Sequence, residues 1–373
     1  MTKTYVDIHA VQTVPPSNLN RDDTGSPKTA TFGGVRRARV SSQAWKRAVR
    51  KDFSDYLDQN KLGERTLFLA ERIAEEVRDL NPDLSDRALD LSIDALKAAG
   101  IKAKKSAVKA GGDETVERAQ TDYLIFASRP QIQTMAKLIA DSPDTKLTRK
   151  EAKQALTEGV SIDVALFGRM IADDPGLNID ACCQVSHALS VHAVDTEFDY
   201  FTAVDDNADA GNAGAGMIGT VEFNSSTLYR YATVNAHELA NVLGSPEAAA
   251  EATSAFIRSF VTSMPTGKQN TFANRTLPEF VLVTIREDQP INLVGAFEDP
   301  VEITSGRSVK AAELLVQQEQ EIQEAYGSKP VAEFAIAVKD CKEALTDHPE
   351  ITSCPLDELV SNVSSLVASR NQG

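Results

Sequence analysis

The sequence contains few of the residues that build disulfides, metal sites or membrane spans. Its 373 residues include four cysteines and five histidines, and no apolar run approaches the ~18 residues of a membrane-spanning helix. Cys182 and Cys183 are adjacent, and no two cysteines have the C-x-x-C spacing of a zinc or redox motif. The first fourteen residues lack the charged and apolar regions of a signal peptide. We therefore expect a reduced, cytoplasmic protein with no membrane association, bound metal or cofactor.

Sequence motifs of common enzymes are also missing. There is no G-x-S-x-G and no H-E-x-x-H, and the glycine-rich stretch 207–219 has neither the Walker nor the Rossmann spacing. Asp22 and Asp23 are the best catalytic candidates, because adjacent acids near phosphate can hold a divalent metal. The favoured alternative is a turn in which their carboxylates accept hydrogen bonds from backbone N–H groups. We expect no catalytic activity.

The histidines favour structural roles over metal binding. His187 and His192 are five residues apart, which fits neither a helical pair nor a known ligand run. His9 lies in a predicted strand, where packing or hydrogen bonding in a sheet is the simpler interpretation.

Basic charge is concentrated in one segment. Acidic residues outnumber basic ones by 54 to 39, so the formal net charge is −15. The segment 28–51 nevertheless holds eight basic residues and no acidic one, and the rest of the chain has 31 basic against 54 acidic residues. Local positive potential on an acidic protein suggests a site for a polyanion. A solvated basic helix face is the alternative.

This basic segment predicts a strand followed by a helix. Residues 34–40 alternate as a strand carrying Arg37 and Arg39 on one face, and Ser41 and Ser42 are good N-cap residues. Helical projection places one apolar stripe opposite one polar face. The apolar stripe consists of Trp45, Ala48, Val49, Phe53 and Tyr56, and the polar face of Gln43, Lys46, Arg47 and Arg50. Because the helix N-terminus also attracts phosphate, two anion-attracting features converge there.

The remaining pattern predicts an α+β fold. Helical periodicity dominates 61–157, which indicates an all-helical inserted lobe, and the flanking regions have strand character. The predicted elements outside this lobe are strands at 4–13 (ended by Pro15 and Pro16), 161–170, 187–206, 220–235, 280–287 and 332–340, a loop or hairpin tip at 207–219, and helices at 245–264, 309–325 and 356–368. The order is compatible with the ferredoxin-like βαββαβ sheet of RNA-recognition modules, although their aromatic octapeptide is absent. Any RNA contact would then rest on the RNA backbone.

Several blocks together resemble a known family. They are LNRDD at 19–23, FGGVRRARVSSQAWKRAVR at 32–50, DVALFGRM at 163–170, FTAVDD at 201–206, EFNSSTLYRYATVN at 222–235 and PTGKQNTF at 265–272. In this order they resemble the CasC family, the crRNA-binding backbone subunit of the type I-E CRISPR complex Cascade. The resemblance implies a ferredoxin-like, RRM-like palm (1–60 and 161–373), helical fingers (61–160) and a thumb hairpin (200–222) with its tip at 207–219.

The resemblance also implies partners and contact residues. The partners would be crRNA, target DNA paired with the guide, further copies of the chain in a head-to-tail filament, and other Cascade subunits. Met170 would wedge against bases, and Phe201 and Thr202 would lie at the base of the thumb. The implied phosphate contacts are Arg21, Lys28, Ser41, Gln43, Lys46, Arg47 and Arg50. Basic residues inside the matched blocks, Arg37, Arg39, Arg169 and Lys268, complete the candidate RNA-binding set.

A non-catalytic guide-RNA scaffold is therefore the leading hypothesis. A subunit that holds any guide must contact phosphate and ribose and leave the base edges free to pair. The alternative is a metal-dependent ribonuclease of the same superfamily that uses Asp22 and Asp23.

Overall fold

The computed structural model describes residues 3–109, 115–203 and 217–370. The chain forms two compact units. The sheet unit comprises Met1–Phe53, Gln184–His237 and Thr253–Gly373, and the helical unit comprises Ser54–Cys183 and Glu238–Ala252. The α+β class and the ferredoxin-like palm predicted from the sequence are confirmed. In the part of the chain that is described, no helix is long and apolar enough to cross a membrane.

The secondary-structure elements are numbered in chain order over the described residues. The strands are β1 (Tyr5–Ser17), β2 (Thr29–Phe32), β3 (Val35–Val40), β4 (Gly63–Thr66), β5 (Ala103–Lys109), β6 (Thr115–Thr121), β7 (Ile125–Ser128), β8 (Cys183–Val185), β9 (Ala188–Ser190), β10 (Glu197–Ala203), β11 (Met217–Asn235), β12 (Phe280–Arg286), β13 (Ala332–Ala337) and β14 (Ile351–Ser353). The helices are α1 (Ser42–Asp52), α2 (Leu69–Leu80), α3 (Ala88–Ala99), α4 (Arg129–Asp141), α5 (Arg149–Thr157), α6 (Ile162–Phe167), α7 (Ala236–Leu243), α8 (Pro246–Thr262), α9 (Gln269–Phe272), α10 (Arg307–Tyr326) and α11 (Leu356–Arg370).

The sheet unit is built on one large sheet. Its main path has the order β14-β13-β12-β1-β11-β9-β3-β2, and every pair along it is antiparallel except β13–β14. The central strand β1 is almost fully buried, since it pairs with β11 on one side and with β12 on the other. One apolar cluster joins strand residues such as Phe280 and Leu282 to Leu315 of α10. Burial of these side chains provides the main stabilisation of this unit.

The end of β1 differs from the prediction. The two prolines at positions 15 and 16 were expected to end the strand, but β1 continues to Ser17. The register between β1 and β11 shifts between Val14 and Ser17. An irregularity in the ladder can accommodate prolines, which have no N–H to donate, so the strand resumes after them.

Two predictions for the helical unit are wrong. The lobe is not all-helical, because β4 pairs with β7 and β5 pairs with β6 beside the helices α2 to α5. The strand predicted at 161–170 is absent, and Ile162–Phe167 form the short helix α6 instead. Asp163 supports α6 by accepting hydrogen bonds from the Ser161 hydroxyl and the Val164 N–H. Short apolar runs do not distinguish a buried strand from a helix, which explains the second error.

A buried acidic residue in the sheet unit predicts how stability depends on pH. Burial and the nearby Glu319 raise the pKa of Glu333 from 4.5 to about 7. Between these values the folded state holds a proton that the unfolded state has lost, so stability is full below the unfolded pKa and is lost as pH rises through 7. Glu333→Gln should remove this loss and make the protein more stable than wild type at about pH 8 by on the order of 3 kcal/mol. Urea unfolding at about pH 4 and pH 8 measures the difference, and an identical pH dependence in both proteins would contradict it.

Candidate nucleic-acid interface

The N-terminus of α1 is fixed by a neighbouring loop. The Ser41 hydroxyl accepts a hydrogen bond from the Ala44 N–H at 3.4 Å, and the Ser41 N–H donates to Asn20 Oδ1 at 2.9 Å. The first turn carries no acidic residue, so no carboxylate there neutralises the positive end of the helix dipole. The helix is thus anchored with its anion-attracting end next to the loop that precedes β2.

The helix presents a polar face opposite an apolar one. Trp45 and Val49 are buried, Gln43 and Arg47 are exposed, and Lys46 and Arg50 are half-buried. Tyr56 does not join the apolar stripe as predicted, because α1 ends at Asp52 and a 3-10 turn follows it. Trp45 packs beneath the buried guanidinium of Arg230, 3.7 Å from the ring centroid. The apolar side holds the helix on the sheet and directs Gln43 and Arg47 to solvent.

The loop before β2 is a compact turn. The Asp22 carboxylate accepts hydrogen bonds from the Thr24 hydroxyl, the Thr24 N–H and the Ser26 N–H. The hydrogen bond from the Thr24 hydroxyl is the main reason why the pKa of Asp22 is lowered. This is the capped turn that the sequence analysis favoured over a metal site. Arg21 lies exposed on the same turn.

Lys28, Arg39 and His187 lie together beside this loop. Arg39 donates to the Thr29 carbonyl through Nε, and its Nη1 lies 3.1 Å from His187 Nδ1. The Lys28 carbonyl accepts the Arg39 N–H at 2.9 Å, so these two residues are backbone neighbours. Partial burial, Arg39 and Lys28 together lower the pKa of His187. Burial is the largest of these causes, and the two cations act in the same direction.

The loop after α8 lies against the same turn. A Cβ on Gly267 would lie 2.2 Å from the Leu19 carbonyl oxygen, so only glycine permits this approach. The next residue, Lys268, has φ +50° and is half-buried. Lys268 is therefore carried to the loop that contains Arg21. We call the N-terminus of α1 and the five side chains around it the basic surface; these side chains are Arg21, Lys28, Arg39, Arg47 and Lys268.

A hairpin extends from the edge of this unit. Strands β10 and β11 pair antiparallel, with Phe201 opposite Gly219 and Thr202 opposite Ile218. The Phe201 ring covers Gly219, whereas Thr202, Tyr200 and Phe198 are exposed on the other face. Residues 204–216 of the predicted thumb, which include 207–216 of its predicted tip, lie outside the described residues.

Three predicted contact residues are structural in the folded chain. Arg37 is buried and donates to the carbonyls of Ser190, Phe297 and Glu298. Arg169 is buried in the helical unit, where its guanidinium donates to Leu177, Gln131 and Leu156. Ser41 is also buried, and its hydroxyl caps α1. The sequence shows that a residue is basic, but it does not show whether its guanidinium is buried and hydrogen-bonded to backbone carbonyls in the fold. The assignments of Arg37 and Arg169 to RNA contact are corrected for this reason.

The other predicted contacts divide between the two units. Met170 belongs to the helical unit and is 81% exposed. The sheet unit carries the basic surface, Gln43, Lys46, Arg50, Phe201 and Thr202.

His9 and His192 have the structural contacts that the sequence suggested. His192 is buried, its Nε2 accepting the Thr227 N–H, and His9 is buried beside the Tyr229 hydroxyl. His187 was missed as a neighbour of the basic surface, since only the pairing of β3 with β9 brings it to Arg39. Among the residues that the structure describes, no three His, Cys, Asp or Glu side chains form a group that could hold a metal ion.

Comparison with known proteins gives a family match and matches to solved structures. Residues 6–362 match the family model described as CT1975-like protein. One solved structure, "CRISPR RNA-guided surveillance complex, pre-nicking", contains a chain with 32% identity and a TM-score of 0.83, over 97% of this chain and all of that one. Another, "CRISPR RNA-guided surveillance complex", gives 27% identity and a TM-score of 0.62, over 98% and 99%. No curated protein matches the chain.

Proposed function

Because this chain belongs to the family of CT1975-like proteins, we propose that it is a guide-RNA-binding backbone subunit of a CRISPR surveillance complex. The observation that carries the proposal is the basic surface, which concentrates cations at the N-terminus of α1 on a protein with a net charge of −15. Such a surface suits phosphate, and the absence of an aromatic octapeptide suits a subunit that leaves bases free to pair.

The proposal includes a specific place in the complex. The chain acts as a CasC-type subunit of a type I-E complex, and several copies bind head to tail along one crRNA beside other subunits. Target DNA then pairs with the exposed guide bases. Phe198, Tyr200 and Ile218 are exposed on one face of the hairpin, and this supports assembly, because neighbouring exposed apolar side chains mark surfaces that a protein partner covers.

The subunit is non-catalytic in this proposal. The three hydrogen bonds to Asp22 hold its carboxylate in the turn, which supports a structural role for the Asp22–Asp23 pair. Incubation of the assembled protein with guide, complementary RNA and Mg²⁺ or Mn²⁺ should give no cleavage. Products that disappear in Asp22→Ala would instead favour the ribonuclease alternative.

RNA binding by the full chain tests the central proposal. Binding to mixed-sequence single-stranded RNA should tolerate changes of sequence, strengthen with RNA length, and weaken with salt. The slope of log K against log salt should be about −0.7 for each phosphate neutralised. Mass measurement with and without RNA should show several protein copies on one strand. Binding that ignored salt, or one copy at every RNA length, would contradict the proposal.

A further inference from the structure

We propose that His187 is an additional phosphate ligand of the basic surface and that RNA binding there is coupled to uptake of a proton. This inference rests on the proposed function, since it names a further residue and a regulatory property of the same site. It starts from the position of His187, which is exposed at the end of β9 next to the cations of β3 and of the loop before β2.

The contact with Arg39 determines which ring nitrogen carries the proton. Arg39 Nη1 lies 3.1 Å from His187 Nδ1, and a guanidinium can only donate. In the neutral ring Nδ1 therefore accepts, and Nε2 carries the hydrogen. No described residue forms a hydrogen bond with Nε2. The free protein thus has an exposed N–H donor beside a fixed guanidinium.

Protonation changes this contact. A protonated ring donates from both nitrogens, so it can no longer accept from Arg39 and its charge repels the guanidinium. The charged groups that face the ring are Arg39 from β3 and Lys28 from the preceding loop. Both disfavour the imidazolium, and partial burial of the ring does so more strongly. In the free protein His187 is therefore neutral at about pH 7.

A phosphate at this position reverses that preference. Its oxygens can accept from Arg39, Lys28 and His187 together, and its negative charge favours the imidazolium. Arg39 lies next to Lys28 through the hydrogen bond from its N–H to the Lys28 carbonyl, and its guanidinium contacts the His187 ring, so the three side chains lie together at one surface. The bound state then holds more protons than the free state. By linkage, RNA affinity rises as pH falls through the pKa of bound His187 and levels off below that of the free residue.

The test compares the pH dependence of RNA binding in wild type and His187→Gln, with the full chain and a mixed-sequence single-stranded RNA. Glutamine can accept from Arg39 and donate to phosphate, but it does not titrate. Wild type should bind about three- to tenfold more tightly at about pH 5.5 than at pH 8, since one unit of pKa change corresponds to tenfold. The variant should show a smaller gain in affinity on acidification than wild type.

A matched control is His348→Gln. His348 pairs with Glu350 near β14, at the far end of the strand order from β3, so this variant should keep the wild-type pH dependence. NMR titration of the His187 ring, assigned from its absence in His187→Gln, should show a higher pKa with a short RNA oligomer bound. An identical pH dependence in wild type and His187→Gln, or an unchanged His187 pKa on binding, overturns this inference while RNA binding itself stands. Failure of the wild type to bind RNA at any pH overturns the proposed function as well.

Discussion

Replacing Arg21, Lys28 and Arg47 together with glutamine should reduce RNA affinity by about a hundredfold at about 0.1 M salt. The three residues lie on different elements of the basic surface, the loop turn, the segment before β2 and the exposed face of α1. If each neutralises one phosphate, the slope of log K against log salt becomes shallower by about 2. At about 1 M salt such contacts contribute little, so variant and wild type should bind RNA with similar affinity there. At about 0.1 M salt, the difference in slope makes the affinity of the variant about a hundredfold lower, which corresponds to about 3 kcal/mol.

A second triple variant separates local contacts from net charge. Lys310, Lys329 and Lys342 are exposed lysines of the same unit outside the basic surface. Their replacement by glutamine removes the same three charges. Affinity and salt slope should then remain close to wild type, and the loss in the first variant should be uniform across RNA sequences. Equal losses in both variants would show that overall charge, and not the basic surface, governs binding.

Arg286→Met should destabilise the sheet unit by about 3–5 kcal/mol. Arg286 is fully buried on β12, between the buried carboxylates of Asp7 and Glu319. It also donates to the Ser328 carbonyl at 2.9 Å. Removing the guanidinium leaves two buried carboxylates without their cation, and each must either remain charged at a high cost or take up a proton. The free energy of unfolding, measured in urea, should therefore fall most at neutral pH and least in acid.

Arg230→Met is the matched control. Arg230 is equally buried, but it lies between the rings of Trp45 and Phe260 and donates to the Gln12 side chain and the Phe260 carbonyl. Its loss leaves only neutral acceptors, which should cost about 1–3 kcal/mol. Adding Asp7→Asn and Glu319→Gln to Arg286→Met removes the two unpaired carboxylates. This triple variant should recover part of the stability that Arg286→Met loses. Similar costs for both single variants would contradict the assignment of the effect to unpaired carboxylates.

The sequence was most informative where periodicity and charge agreed. The helix α1 was predicted correctly because its apolar residues Trp45 and Val49 recur at helical spacing after two good cap residues. Long strands such as β12 and the return strand β11 were also predicted, since their apolar residues are bounded by turn signals. Local pattern was sufficient for these elements because tertiary packing reinforces it.

Prediction failed where a side chain's role depends on distant backbone. Nothing in the local sequence distinguishes Arg37, which binds carbonyls at residues 190, 297 and 298, from Arg39, two positions later at the surface. The same limit applies to His187, whose neighbour Arg39 is 148 positions away. Such contacts depend on strand order, which cannot be read from the local pattern of a single sequence.

The continuity of β11 limits which insertions and deletions the hairpin can tolerate. One end of this strand pairs with β10, and the other pairs with β1 in the core. Successive side chains of a strand alternate between its two faces. One residue added between these two parts of β11 would therefore turn the hairpin over relative to the core, so that the face carrying Phe201 and the face carrying Tyr200 would change places. Two added residues would preserve both faces and only lengthen the strand by about 7 Å. Length variation among homologous chains should therefore occur in even steps within β11, or in the connection between β10 and β11, where parity has no effect.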